Sequence, residues 1–411
     1  MPRTATVRDS SWENVLSNRC NDIRELQGLL GLDDDETARL ASVQETFPMF
    51  VNPYYLSLIR ADDPDDPIRR MCIPSTEELD LAGLADTSGE TSSTVLPGLQ
   101  HKYSETALVL STSRCAVYCR HCFRRRLVGR SDEETVRDID AVAAYVDAHS
   151  EITNVLISGG DALMNNRKVL CRYLESFAEI GHVRTVRLGT RIPAVFPQRI
   201  THDGELLGIL ERFGKHKQLH VVTQFDHPAE VTPESRDSVR ALLRIGVPTR
   251  NQTVLLKRVN DDPEVLARLM DDLVGIGVAP YYVFQCRPTV GVKNRFQVPL
   301  HEGWKIVERA RTRLNGLAKS FRFIMSHDAG KIEILGPLDS AATTDGSEPG
   351  LQPVMFRFHQ ARDRRMLGKL FCMDVADDAC WLEGAQIRSA LDAGKRRARL
   401  PDEAGASSGI D

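Results

Sequence analysis

The stretch Ala107-Leu-Val-Leu-Ser-Thr-Ser-Arg-Cys-Ala-Val-Tyr-Cys-Arg-His-Cys-Phe-Arg-Arg-Arg126 decides how this chain reads. Its opening, Ala107–Ser113, has the apolar and β-branched make-up of a buried strand. Directly behind come Cys115, Cys119 and Cys122, spaced Cys-x3-Cys-x2-Cys. Three thiolates this close can face one inorganic centre, and iron–sulfur clusters are held by cysteine thiolates. No fourth cysteine lies nearby, so a cubane cluster held here keeps one iron open to an outside ligand. The bland alternatives are three unrelated thiols or a structural zinc site, which wants four protein ligands. His121 could complete a zinc set, but it lies inside the tightest part of the loop.

Outward from this loop, the rhythm is of short β-rich runs alternating with helical stretches. The runs are 107–113, 154–158, 185–190, 220–225, 252–256 and 280–285. Helices are expected near 133–149, 166–179, 203–213, 233–245, 262–275 and 302–315. Six strand–helix repeats predict a parallel sheet with helical crossovers, an α/β fold. Rhythm alone does not separate an open sheet from a partial barrel, but ligands gather at the carboxyl ends of the strands in both. The cysteine loop sits at such an end. Residues 1–100 read as a helical extension, with helical spacing from Trp12 to Leu30 and from Asp33 to Val43. The barrel-like part spans 101–316 and a C-terminal segment 317–394, with strand-like pieces at 321–325, 331–335 and 354–359. A charged, small-residue tail at 395–411 is expected to be mobile.

Composition narrows the function. The chain has 411 residues, with 53 basic against 57 acidic ones and a net charge of −4. That balance argues against a nucleic-acid partner. No apolar run reaches the length of a membrane span, and the start lacks the apolar core of an export signal. The nine cysteines are otherwise scattered, unlike a disulfide framework, which points to a reducing cytoplasm.

Further motifs follow the strands. Ser158-Gly-Gly-Asp161 closes the second run; glycines let backbone approach a ligand closely, and Asp161 can accept from an ammonium group. With the cysteine triad it resembles the loop that holds the amine of S-adenosylmethionine (SAM) in radical SAM enzymes. Cys119–Arg126, Val155–Leu163, Arg187–Pro193 with Pro197–Thr201, Asn251–Leu256 with Val259–Asp261, and Pro280–Cys286 together resemble the lysine 2,3-aminomutase family of those enzymes. Asp66–Arg70 and His101–Tyr103 match as well.

That resemblance implies a radical SAM partial (β/α)6 barrel of TIM type with a [4Fe–4S] cluster on Cys115, Cys119 and Cys122, SAM, and pyridoxal 5′-phosphate (PLP). It implies that Lys331, in Asp328-Ala-Gly-Lys-Ile-Glu, is the PLP lysine, an amine of lowered pKa able to condense with the aldehyde. It puts the substrate carboxylate on Arg124, and Arg191, Asn251 and Gln252 near SAM or PLP. It also implies a small amino-acid substrate, a one-electron donor of flavodoxin or ferredoxin type, and a homo-oligomer. Three departures stand out. The family's phosphate-anchoring arginine falls on Lys102. Its zinc-binding cysteines near the C-terminus are not reproduced by Cys372 and Cys380, so no zinc is expected. The aspartates that read the distal ammonium of lysine fall on Arg287 and Ser326. A cation there repels lysine and suits an anion, as in a glutamate-type enzyme. The expected reaction is 2,3-migration of the amino group of an acidic amino acid. The alternatives are side-chain desaturation or another modification, for example of arginine, with the same cofactors, and an iron–sulfur redox sensor without turnover.

Overall fold

The computed structural model describes residues 12–338 and 350–397. The expected mobile tail lies almost wholly outside these residues. Twelve strands form one sheet in sequential order: β1 (Thr94–Leu96), β2 (Leu99–Tyr103), β3 (Thr106–Thr112), β4 (Asn154–Gly159), β5 (Thr185–Gly189), β6 (Gln218–Thr223), β7 (Thr249–Leu255), β8 (Val278–Gln285), β9 (Arg322–His327), β10 (Gly330–Pro337), β11 (Leu351–Ala361) and β12 (Leu370–Ala376).

The middle of the sheet is a parallel run from β3 to β9, with registers such as Val109↔Ile157 and Ile157↔Leu188. Six helices make the crossovers: α2 (Ile139–Asp147), α3 (Arg167–Ala178), α4 (Gly204–Gly214), α5 (Pro233–Arg244), α6 (Pro263–Gly275) and α7 (Leu300–Arg311), while α1 (Asp34–Thr46) lies in the extension. Local chemistry starts these helices. Asp138, Asn166, Asp203, Thr232 and Asp262 each cap a helix by accepting backbone N–H bonds, and α5 and α6 follow with proline in the first turn. The alternately buried strands and one apolar face of each helix form a single continuous core. The two edges of the sheet do not pair with each other, so the fold is an α/β partial barrel with six βα units and β9 as an added parallel strand. Antiparallel β1–β2 flank it on one side and β10–β12 on the other.

The extension is less helical than its spacing suggests. Trp12–Leu30 is broken after Ser17, where Cys20 exchanges backbone bonds with Val51. Glu78 is one of the residues that join the extension to the barrel. Its buried carboxylate accepts from Arg120 at 2.5 Å, from Arg125 at 2.6 Å and from Arg295. A single buried acid thus ties the cysteine loop to the segment between β8 and α7. Among the described residues, no helix is long and apolar enough to cross a membrane.

Candidate active site

The carboxyl ends of the parallel strands open on a cavity of about 350 Å³. The loop after β3 brings Cys115, Cys119 and Cys122 to its wall, and the end of β4 brings Ser158, Gly159, Gly160 and Asp161 beside them. The two glycines serve a close backbone crossing. A Cβ at Gly159 (φ +122°) would sit 2.3 Å from Thr112 O, and one at Gly160 would sit 2.3 Å from Arg114 O. The ends of β3 and β4 are stitched there by Gly160 N to Thr112 O at 2.6 Å and Asp161 N to Arg114 O at 2.8 Å.

Asp161 is buried, and burial pushes its carboxyl up to about 6 against the pull of its donors. Oδ1 accepts from Thr190 Oγ1 at 2.5 Å and Leu163 N at 3.0 Å, and Oδ2 from Arg191 N at 2.7 Å. Arg191 then turns its guanidinium back: Nη1 donates to Cys119 Sγ at 2.8 Å and Nη2 to Glu230 at 2.7 Å. His121 Nε2 is engaged by Gln224 at 2.9 Å and lies 3.3 Å from Asp226, while its buried Nδ1 has no partner. Burial pushes all three loop thiols up, Cys122 to about 11, while Arg191 pulls Cys119 back. Among the described residues no three His, Cys, Asp or Glu side chains close as tightly as one metal ion demands. A cubane, whose iron corners each take one thiolate, asks for a wider triad, and three cavity-facing thiols backed by an arginine fit it.

The far end of the cavity is cationic. Lys331, from β10, donates to Gln360 Oε1 at 2.6 Å and stands 4.7 Å from the centre of the Tyr103 ring. Burial first, then the nearby Arg187, Lys102 and Arg287, bring its ammonium down to about 7. That suits an amine that must react as a free base. Lys102 donates to the carbonyls of Ser88 (2.8 Å) and His327 (2.9 Å), and burial lowers it to about 8. A phosphate has Lys102, Arg187 and Gln252 on this wall, so the residues present fit PLP.

Arg124 and Arg287 both lie over one ring. Their guanidinium carbons lie 4.7 Å and 4.0 Å from the centre of Phe123. Arg124 is aimed by Glu90, whose Oε1 it meets at 2.7–2.8 Å, and Arg126 takes the other oxygen at 2.5 Å. Despite burial, those cations hold Glu90 down to about 2. Arg287 Nη2 donates to Ser326 Oγ at 2.8 Å, while its buried Nη1 has no partner. Burial lowers this arginine to about 10.

Asn251 alone among the expected site residues is absent from the cavity wall. Its amide accepts from Phe225 N at 2.7 Å and donates to Phe225 O and Thr253 Oγ1, so it clamps the end of β6. Gln252 faces the cavity, as strand alternation requires. Two contributors went unread in the sequence. Gln360 stands opposite Lys331 in the β10–β11 ladder, and Glu90 lies in a short helix before β1; neither sits in a motif.

A cysteine triad at the end of the first parallel strand, with Asp161 at the end of the second, defines a radical SAM enzyme. No protein-family model matches the chain. Among curated proteins it is 41% identical over 363 residues to the “Putative L-lysine 2,3-aminomutase” of Aquifex aeolicus, covering 88% of this chain and 94% of that one. It is 38% identical to L-lysine 2,3-aminomutase of Fusobacterium nucleatum (76% and 73% covered) and 36% identical to glutamate 2,3-aminomutase of Clostridioides difficile (75% and 73%). Among solved structures, Streptococcus suis SuiB aligns with a TM-score of 0.40 at 13% identity, over 53% of this chain and 48% of that one. A radical SAM methyltransferase from Sphaerobacter thermophilus aligns at 0.35 and 16%, over 55% and 68%. The chain belongs to the lysine 2,3-aminomutase family. It is a radical SAM aminomutase, an isomerase that works with a [4Fe–4S] cluster, SAM and PLP on a small amino acid.

Proposed function

We propose that this aminomutase acts on an α-amino acid with an anionic side chain, glutamate foremost, and moves its amino group from C2 to C3 to give the β-amino acid. One observation carries the reading. Arg287 is a half-buried cation on the cavity wall, forms no ion pair among the described residues, and keeps a buried Nη1 unpartnered. An unpaired buried charge is costly. A substrate carboxylate arriving at Nη1 offsets that cost, whereas a lysine ammonium adds a like charge in a poorly screened space.

The bound cofactors supply removal and return of one hydrogen atom and a carbonyl carbon that carries the migrating nitrogen. The chain supplies placement. Cys115, Cys119 and Cys122 hold the cluster, with Ser158–Asp161, Arg191 and Gln252 around SAM and PLP. Arg124, fixed by Glu90, takes the α-carboxylate through the edge of its fork that Glu90 leaves uncovered. Arg287 and Ser326 take the distal carboxylate. With one cation for each carboxylate, a dicarboxylic amino acid is held at both ends and its C2–C3 bond is fixed between them. Lys331 Nζ, neutral near pH 7, gives and takes the proton when the cofactor aldehyde is exchanged between enzyme and substrate. Leu156, Val254 and Phe284 keep that space apolar. The same reading includes an external one-electron donor, a reducing cytoplasmic setting and self-association.

The test is anaerobic incubation with SAM, PLP, dithionite and a pool of all amino acids, followed by mass spectrometry. β-Glutamate is the expected product, with SAM used catalytically. Conversion of lysine in preference to glutamate and aspartate overturns the reading of Arg287, and one 5′-deoxyadenosine released per turnover overturns migration.

A further inference from the structure

Cys119 and Cys122 line a second, shallow cleft besides the main cavity, walled by Phe47, Pro48, Tyr118 and Arg125. These two residues thus border this cleft as well as the main cavity. Around this cleft the aromatic rings form a platform: Phe50 stacks on Tyr118 with centroids 5.1 Å apart and planes 26° apart, both rings half-buried. Three exposed arginines rim it. Arg19 lies 5.4 Å from the centre of Phe50 and Arg130 5.8 Å from that of Phe47, and the fields of Arg19 and Arg114 both reach the Tyr118 hydroxyl.

The charge pattern is selective. Arg120, Arg124, Arg125 and Arg126 of the same loop are each tied to Glu78, Glu90 or Glu134. Arg19, Arg114 and Arg130 form no ion pair among the described residues. Of the acids that follow on the loop, Asp132 accepts from Ser113 Oγ at 2.5 Å, Glu134 pairs with Arg126, and Glu133 is exposed. Cations free of an ion-pair partner around an aromatic centre make a surface complementary to a partner with the opposite arrangement, an apolar centre rimmed by acids.

We propose that this face, centred on Tyr118 and Phe50 and rimmed by Arg19, Arg114 and Arg130, docks a small acidic flavoprotein that hands one electron to the cluster. The proposal rests on the reading of Cys115, Cys119 and Cys122 as cluster ligands. A flavin with an exposed ring edge fits the flat aromatic platform, and the cationic rim draws an acidic carrier in and orients it. One electron leaves the fully reduced flavin and enters the oxidised cluster, which falls from the 2+ to the 1+ state. The flavin is left oxidised by one electron, no covalent bond changes, and no proton has to cross the interface.

The experiment follows cluster reduction by stopped-flow absorbance, on reconstituted full-length protein whose iron content has been measured. Reduced FMN flavodoxin is one reductant and dithionite the other. In the variant Arg19→Glu/Arg114→Glu/Arg130→Glu the flavodoxin rate constant is expected to fall on the order of tenfold or more at low salt, with the dithionite rate unchanged. The control Arg236→Glu/Arg244→Glu, on α5, is expected to match wild type with both reductants. An unchanged flavodoxin rate in the triple variant overturns the proposal. Should that variant lose iron, wild type decides: a flavodoxin rate that falls steeply with added salt supports the docking face, and one indifferent to salt overturns it. Wild type that binds no iron refutes the cluster reading itself, a separate failure.

Discussion

Lys331 Nζ donates to Gln360 Oε1 at 2.6 Å, and the two residues are register partners across the β10–β11 ladder. A neutral amide steadies the amine without adding the negative charge that would keep it protonated. Cofactor capture is accordingly expected to reach half its maximal rate near pH 7, where Lys331 titrates, not near the ordinary lysine value of 10.5. Because folding lowers this pKa, the unfolded chain binds the extra proton between those values, so the apoprotein gains stability as pH rises from about 7 to 10.5. Gln360→Glu puts a carboxylate in contact and is expected to raise the capture midpoint by about one pH unit or more. Stopped-flow absorbance of the PLP adduct measures both midpoints, and Lys331→Ala gives no adduct.

The proposed role of Arg287 is to set what the enzyme accepts. Arg287→Met is expected to lower kcat/KM for glutamate by about 10²-fold or more, the equivalent of losing a buried charge-assisted pair. PLP uptake and the cluster spectrum should stay as in wild type. Arg287→Asp is expected to admit lysine. Kinetics with both amino acids on the three proteins decide the matter, and equal glutamate turnover in Arg287→Met contradicts the assignment.

Glu90 aims Arg124 and should matter in two ways. Glu90→Gln is expected to raise KM for the substrate about tenfold while leaving SAM affinity alone. Folding holds this carboxyl down to about 2 from an ordinary 4.5, so its contribution to stability is whole above pH 4.5 and drains away as pH falls toward 2. The stability gap between wild type and variant, about 3 kcal/mol at neutral pH, should close over that interval in denaturant titrations.

The bond from Arg191 to Cys119 Sγ places positive charge against a proposed cluster ligand. Donors to cluster sulfur favour the reduced, more negative state. Arg191→Met is therefore expected to lower the midpoint potential, read by EPR-monitored redox titration without SAM. Arg191→Lys should restore part of the shift. An unchanged potential with weakened SAM binding would limit Arg191 to the nucleotide side.

The strands of the barrel and their crossover helices were legible because each is marked twice, by apolar runs and by caps such as Asp138, Asn166 and Asp262. The loop residues were legible because Cys-x3-Cys-x2-Cys and Ser158–Asp161 are compact. What escaped depends on tertiary pairing. The short strands β1 and β2 carry mixed residues, and pairing of β1 to β2 and of β2 to β3 decides their state. β12 and the C-terminal helix (Gly384–Arg397) were likewise unread. Asn251 and Gln252 are neighbours of similar chemistry, and only the phase of β7 tells which one meets the cavity. Gln360 and Glu90 have ordinary local contexts, and their importance comes from partners 29 and 34 residues away in the chain.

Glu78 joins Arg120, from the middle of the cysteine loop, to Arg295, far downstream. The loop therefore lacks its final anchor until residue 295 has left the ribosome and found its place. Iron delivered to a chain shorter than this meets a loop with one of its anchors missing.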